Sequence, residues 1–181
     1  LLNDNQVDYA FSYRYNSMQN FDDQLIQIPL YTDKFVFVAA KDHPLMEKNK
    51  LNLNDLKGVP LISFTELQLC RKIINYVAKR EQVTINPIFE TSDIHTIFDF
   101  VKRKLGGAIV PESLYGFHQN ENIDARAITN RGLSRETVFI YRKDKFLSTV
   151  AKSFIPTLIH YLKQHPIALP SSSEKMLMKL T

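Results

Sequence analysis

Apolar residues recur with two different spacings along this chain, and the two spacings predict alternating strands and helices. Helical spacing, with an apolar residue every third or fourth position, covers 67–81, 93–105 and 148–164. Short runs rich in aromatic and β-branched residues predict the strands VDYAFSY, QLIQIPLY, FVFVAA, PLISF, TINPIFET, GAIVP and TVFIYR. FVFVAA is almost continuously apolar, which indicates a strand covered on both faces. The alternation favours the α/β class with a substantially parallel sheet or sheets.

The segment VKRKLGGAIVP, residues 101–111, contains two adjacent glycines that invite comparison with a phosphate-binding loop. Such loops run from strand to glycines to helix, so that the free N–H groups of the helix face the anion. Here a helix precedes the glycines, and a helix C-terminus carries partial negative charge. We therefore expect Gly106 to end the helix as a left-handed cap, and Gly107 to be small because another element packs closely there. The pair could also leave room for a ligand, which would be a steric role.

Two features mark the C-terminal part of the chain. Pro156 lies inside the last predicted helix, where a proline removes one backbone hydrogen bond and should kink the helix at a cost of about 3 kcal/mol. Residues 167–181 are rich in Pro and Ser and then weakly amphipathic, which predicts a C-terminal tail.

Composition narrows the class of protein. The chain has 181 residues, 44% hydrophobic and 23% charged, which is ordinary for a globular protein, and no apolar run approaches the ~18 residues that span a bilayer. The net charge of +4 is scattered, so its basic clusters favour solvated surface over nucleic-acid contact. One cysteine permits no disulfide within the chain and favours a reducing cytoplasm. The start, LLNDNQVDYAF, has no features of a signal peptide, and we expect the chain to be a fragment.

The residue types that carry catalysis do not form a recognisable set. The five histidines lack the spacing of metal ligands and there is no CxxC, so neither a metal nor a cofactor is predicted. Cys70 falls on the apolar face of its helix and is interpreted as a buried thiol rather than a nucleophile. Asp93 begins a helix, where a cap is the more frequent role than a general base. These patterns predict that the protein is not an enzyme.

Hydroxyl side chains stand where two predicted strands end and helices begin. Ser63 and Thr65 follow the strand PLIS, and Ser92 follows IFET. In α/β sheets ligands bind at the carboxyl ends of strands. Helix capping, by Ser92 or by Asp93, explains the same residues, and both interpretations stay open at this point.

Five segments occur in a distinctive order between Val7 and Leu162: VDYAF, PLYTDKFVFVAAKDHPL, LNLNDLKGVPLISF, FETSDIHTIFDFVKRKLGGAIVP and TVFIYRKDKFLSTVAKSFI. This order resembles the effector-binding domain of LysR-type transcriptional regulators, in which D-H-P-L is followed by D-L-x-G-x-P-L-I. One departure is Lys104, which stands where the family has the first glycine of a G-x-G motif.

The resemblance implies a two-lobed, periplasmic-binding-protein-like (type 2) α/β fold with two sheets flanked by helices and joined by two crossing strands. The crossings are expected near 36–39 and 137–141. Residues 1–38 and 138–166 would form an incomplete first lobe, which lacks the family's first strand and helix. Residues 39–137 would form the second lobe, followed by the tail 167–181.

The resemblance also implies a function without catalysis. A small-molecule effector, expected to be polar or anionic, would bind in a cleft and control a cytoplasmic, bacterial transcription regulator. The parent protein is expected to be a homo-oligomer, a dimer or tetramer, that binds DNA through an N-terminal helix-turn-helix absent from this chain. A transporter's solute-binding protein is the alternative, followed by an enzyme on a two-lobed frame. Carried over position by position, the effector-binding residues are Ser12, Tyr13, Ser63, Phe64, Thr65, Ser92, Asp93, Gly106 and Gly107.

Overall fold

The structure, a computed structural model, describes residues 1–4, 6–15, 23–164 and 169–181. The described strands are β1 (Tyr9–Arg14), β2 (Leu25–Ala40), β3 (Lys50–Leu51), β4 (Leu61–Phe64), β5 (Pro87–Thr91), β6 (Gly107–Pro111), β7 (Ile123–Ile128) and β8 (Ser134–Arg142). The α-helices are α1 (Leu69–Arg80), α2 (Ile94–Lys102), α3 (Glu112–His118), α4 (Thr149–Gln164) and α5 (Ser171–Met178). Short 3-10 helices cover Pro44–Glu47 and Leu53–Leu56. Residue 167, the expected start of the tail, lies outside the described residues.

The chain divides into two compact units. Unit 1 comprises Leu1–Thr32 and Glu136–Thr181, and unit 2 comprises Asp33–Arg135. The strands β2 and β8 each run from one unit into the other, so QLIQIPLY and FVFVAA, expected as two strands, form one strand of 16 residues. The lobe boundaries inferred from the sequence, at 38/39 and 137/138, stay a prediction.

Unit 1 is built around the packing of α4 on its strands. β1 pairs antiparallel with β8, with Tyr9 opposite Tyr141 and Arg14 opposite Glu136. α4 continues through Pro156, which lies on its exposed side. The C-terminal segment is a helix rather than a loose tail over its described part, because α5 packs on α4 and buries Leu177 completely. The core consists of Ile28, Leu30, Phe139, Leu147, Ala151, Ile155, Leu158, Ile159, Leu162 and Leu177.

Unit 2 is a mixed sheet covered by α1 and α2. β2 pairs antiparallel with β6 and with β7. β4 pairs in parallel with both β5 and β6, and β3 pairs in parallel with β7. The expected parallel sheet is therefore found only in part, because β2 runs antiparallel to β6 and β7. The apolar faces of α1 and α2 bury Ile73, Ile74, Val77, Ile97, Phe98 and Val101.

A buried ion pair joins the two ends of unit 2. Asp33 and Arg135 each expose 5% of their surface. Asp33 Oδ2 accepts from Arg135 Nε at 3.2 Å and Nη2 at 3.1 Å, and the carboxylate also accepts from the Ser113 N–H at 3.1 Å and its hydroxyl at 2.7 Å. Arg135 Nη1 donates to Cys70 Sγ at 3.3 Å. Cys70 is thus buried, as the sequence predicted, and burial raises the pKa of its thiol.

The end of α2 corrects one expectation. Lys104, with φ of 60°, takes the left-handed conformation that had been expected of Gly106. The N–H of Lys104 donates to the Val101 carbonyl, and that of Leu105 to the Phe100 carbonyl, which is the Schellman pattern of helix termination. Lys104 also forms an ion pair with Asp42 of the D-H-P-L segment.

The D-H-P-L segment has a local structural explanation. His43 Nδ1 accepts from the Leu45 N–H at 3.2 Å and thereby caps the 3-10 helix that Pro44 begins. A proline suits this first position because its missing N–H would have had no partner there. Burial holds the pKa of His43 below its usual value.

Candidate functional site at the ends of β4 and β5

The carboxyl ends of β4 and β5 lie side by side. The two strands are parallel and Phe64 is opposite Thr91, so Thr65 and Ser92, the next residues of each strand, are neighbours at the same edge. The structure therefore brings together two groups that the sequence singled out, Ser63–Thr65 and Ser92–Asp93. Ser63 and Phe64 are buried within β4, Thr65 is half-buried, and Ser92 and Asp93 are exposed.

Gln68 ties the two strand ends to each other. Its Oε1 accepts from the Thr65 N–H at 3.2 Å, and its Nε2 donates to the Ser92 carbonyl at 3.3 Å. Gln68 was not among the predicted site residues, although its position directly before a helix was an available signal. Gln68 fixes the spacing between Thr65 and Ser92, and hence the geometry of the edge.

The two helices that begin at this edge differ in how their first N–H groups are satisfied. Asp93 is the N-cap of α2 and accepts from the N–H groups of His95 at 3.3 Å and Thr96 at 2.8 Å. The Thr96 hydroxyl, which also donates to this carboxylate, is the main reason that the pKa of Asp93 is lowered. Asp93, rather than Ser92, is therefore the cap of this helix.

α1 lacks such a cap. Its N-cap residue is Gln68, whose side chain makes no capping hydrogen bond to the helix. The first N–H groups of an α-helix have no partner inside the helix, so the start of α1 keeps partial positive charge. The uncapped start of α1 and the exposed Ser92 hydroxyl therefore both lie at the β4–β5 edge.

Arg14 and Arg71 are both paired with carboxylates of this chain. Arg14 lies in unit 1 and pairs with Glu136, its cross-strand neighbour on β8. Arg71, in unit 2, is buried, donates from Nε to Asn75 Oδ1 at 2.8 Å, and has Nη1 3.2 Å from Glu90 Oε1.

Gly106 and Gly107 lie away from these hydroxyls. β6 is parallel to β4 with Gly107 opposite Leu61, the first residue of β4, whereas Thr65 follows its last residue. A Cβ on Gly106 would come 2.6 Å from the Pro60 carbonyl oxygen, and one on Gly107 would come 2.3 Å from the Phe37 ring. Close packing therefore accounts for Gly107, as expected, and also for Gly106, which had been expected to act as a helix cap.

Ser12 and Tyr13 belong to unit 1. Both line a cavity of about 250 Å³ between the strands and α4, where they are joined by Phe11, Leu30, Tyr31, Thr137, Leu158, Tyr161 and Leu162. The wall is mostly apolar. The Thr137 hydroxyl is buried and makes no hydrogen bond within the described part of the chain.

Two further properties bear on function. Among the residues that the structure describes, no group of three or more His, Cys, Asp or Glu side chains is arranged to hold a metal ion. Within that same part of the chain, none of the helices has both the length and the apolar character needed to cross a membrane.

Comparison with known proteins identifies the family. The family model of the LysR substrate binding domain matches residues 1–163. The chain belongs to this family. The resemblance seen in the ordered sequence segments is thereby confirmed, and this family consists of binding domains of transcription regulators rather than enzymes.

Curated relatives are HTH-type transcriptional regulators. SoxR of Arthrobacter sp. (strain TE1826) is 30% identical over 138 residues, which is 75% of this chain and 45% of SoxR. CysB of Burkholderia cenocepacia is 23% identical over 139 residues, 77% of this chain and 43% of CysB. The chain thus spans less than half the length of either relative.

Solved structures confirm the type 2 periplasmic-binding-protein-like fold. The effector-binding domain of QuiR in complex with shikimate has a TM-score of 0.72 at 20% identity, covering 91% of this chain and 76% of that one. The effector-binding domain of BenM with benzoate has a TM-score of 0.77 at 15% identity, covering 94% and 76%. The position of the family's first G-x-G glycine is here Lys104, whose positive φ explains why glycine suits that place.

Proposed function

We propose that this chain is the effector-sensing part of a LysR-type transcriptional regulator that works in a bacterial cytoplasm. The family match over residues 1–163 carries the proposal, and the regulators among the relatives support it. In the parent protein, a homo-oligomer, DNA contact would come from an N-terminal helix-turn-helix. A transporter's solute-binding protein is the less favoured assignment, because the relatives are regulators.

The proposed mechanism is binding without catalysis. An effector that binds one conformation of the domain more tightly than another shifts the population toward the first, and it can do so only by its difference in affinity. The parent protein would convert that shift into altered contact with DNA.

The ligand we propose for the β4–β5 edge is a small carboxylate. Three observations support it: the uncapped start of α1, the exposed hydroxyl of Ser92 and the half-buried hydroxyl of Thr65. Shikimate and benzoate, bound by the structural neighbours QuiR and BenM, both carry a carboxylate. Asp93 opposes an anion at α2, so the carboxylate would face α1, where backbone N–H groups can donate to it.

Ser92→Ala tests this site. Calorimetric titration with shikimate and with benzoate should show a dissociation constant weakened by about 2- to 12-fold, the equivalent of about 0.5–1.5 kcal/mol for one neutral hydrogen bond. Because Asp93 already caps α2, the melting temperature should stay unchanged. Ser172→Ala, an exposed serine on α5, is the matched control.

Two outcomes would contradict the proposal. If neither carboxylate binds at millimolar concentration, the ligand class is wrong. If Ser92→Ala binds as tightly as Ser172→Ala, Ser92 does not contact the effector and the β4–β5 edge is not the site.

A further inference from the structure

Two histidines on different helices of unit 2 lie against each other. His95 is in the first turn of α2, and His118 is the last residue of α3. Their ring centroids are 4.9 Å apart, and the ring planes make an angle of 72°. The two residues are distant in the sequence and form no spacing motif, so only the fold brings them together.

The separation of the two rings suits a shared metal ion. Two imidazoles that bind one tetrahedral Zn²⁺ through nitrogens at about 2.0–2.1 Å have their ring centroids about 5 Å apart. Within the part of the chain that the structure describes, neither imidazole makes a hydrogen bond, so the ring nitrogens are available to an ion. His95 is exposed, and its ring can therefore turn to direct a nitrogen toward the ion.

His118 is held in place before any ion binds. Its ring stacks on the ring of Phe98, with centroids 4.3 Å apart and an angle of 13° between the planes. Phe98 belongs to the core and is only 1% exposed. A ligand fixed in this way loses little side-chain freedom on binding. Burial also holds the pKa of His118 below its usual value, which favours the neutral imidazole that metal ions require.

The charged groups around His118 carry both signs. Beyond the effect of burial, His95 and Lys102 lower the pKa of His118, whereas Asp99 and Asp93 raise it. Lys102 Nζ lies 3.3 Å from Asp99 Oδ1, so its positive charge is largely balanced by that carboxylate. The carboxylate of Asp93 remains, and its negative charge favours a cation near the two rings.

We propose that His95 and His118 form a two-histidine site for a divalent metal ion of the zinc class, which joins α2 to α3. Each imidazole supplies one nitrogen. No cluster of three His, Cys, Asp or Glu side chains able to hold a metal occurs among the described residues, so water fills the remaining coordination positions. Binding of the ion at this site requires no effector.

The expected consequence of the ion is a more firmly held α3. This helix of seven residues contains no buried residue, and an element with so little buried surface opens easily. An ion bound to both histidines would attach the end of α3 to the start of α2. The amides of Glu112–His118 should then exchange hydrogen more slowly.

Calorimetric titration of the 181-residue chain with zinc chloride tests the proposal. The chain should bind one Zn²⁺, and its melting temperature should rise with the concentration of zinc, because the ion binds the folded state. Hydrogen exchange with and without zinc should show the added protection in α3 and in the first turn of α2.

Two single variants remove one ligand each. His118→Phe keeps a ring that can stack on Phe98 but has no nitrogen, and His95→Gln changes an exposed side chain, so both variants should fold. Each should raise the dissociation constant for zinc at least about 10-fold, since even groups that only orient a metal ligand contribute that much. The double variant should bind no more weakly than the weaker single variant. His160→Gln, which removes an exposed histidine of α4 in unit 1, is the matched control and should bind zinc like the original chain.

Three results would overturn the proposal. The first is a chain that binds no zinc at millimolar concentration. The second is a His118→Phe or His95→Gln variant that binds zinc as tightly as His160→Gln. The third is zinc-dependent protection confined to elements other than α2 and α3, which would place the ion elsewhere.

Discussion

Removal of the Asp33 carboxylate should be among the most destabilising single changes in unit 2. Asp33→Ala deletes the acceptor of four hydrogen bonds, two from the Arg135 guanidinium and two from Ser113. Both charged side chains are at least nine-tenths buried. Breaking one partner of a buried pair costs about 3–5 kcal/mol, because the remaining charge stays desolvated.

Asp33 and Arg135 should show a large coupling energy in a double-mutant cycle. Asp33→Leu/Arg135→Met replaces both charges with apolar groups, which is often close to neutral for a buried pair. The Ser113 donors still lose their acceptor, so the double variant should be destabilised by about 1–3 kcal/mol, far less than the sum of the two single variants. Surface Asp144→Ala, which removes the exposed partner of Arg142, should cost far less than Asp33→Ala, because solvent screens an exposed ion pair.

Urea denaturation followed by far-UV circular dichroism measures these free energies, because the chain has no tryptophan for fluorescence. A cost for Asp33→Ala as small as that for Asp144→Ala would refute the argument from burial. If the double variant were destabilised by the sum of the two single-variant costs, Asp33 and Arg135 would not be energetically coupled.

Three further outcomes follow from the structure. Gly107→Ala should destabilise the protein by about 2–3 kcal/mol in urea titrations because its Cβ meets the buried Phe37 ring, whereas Gly116→Ala, with open space and a helical position, should stabilise it by about 0.5–1 kcal/mol. Pro156→Ala restores a backbone donor inside α4 and should raise the free energy of unfolding by up to about 3 kcal/mol; no change would mean that α4 tolerates the proline without strain. Burial lowers the pKa of His43, so the folded state binds fewer protons than the unfolded one, and stability should fall as the pH drops below about 6.5. His43→Asn, which keeps an acceptor for the cap, should flatten the thermal-melting profile from pH 7 to 5; an unchanged slope would assign the effect to other groups.

Periodicity was a sufficient guide where one face of an element is buried. The apolar stripes of α1 and α2, and the continuous apolar run that forms the last six residues of β2, are predicted correctly because burial imposes their pattern. α3 and β7 were missed. α3 has no buried residue and contains Gly116, so neither pattern nor propensity marks it as a helix. β7 alternates only weakly, and β2 and β3 define it by pairing.

The sequence predicted those residues of the candidate site that stand at the ends of strands, but not the contacts between their side chains. Thr65 and Ser92 follow recognisable strands, and the parallel pairing of β4 with β5 makes them neighbours, whereas Ser63 lies buried within β4. The sequence could not show that Gln68 bridges those ends, because that contact depends on side-chain direction. The sequence also could not show that Lys104 takes the left-handed conformation at the end of α2, because glycine is usually preferred there and Gly106 stands two residues later.

Chemical labelling of the Cys70 thiol can measure how often unit 2 opens. The thiol is buried, accepts a hydrogen bond from Arg135 and has a raised pKa, so it should react only slowly with a disulfide reagent at neutral pH while the unit is closed. No other cysteine competes for the reagent. The labelling rate therefore measures how often α1 separates from its neighbours, and a ligand that holds unit 2 closed would slow that rate without any dye or engineered probe.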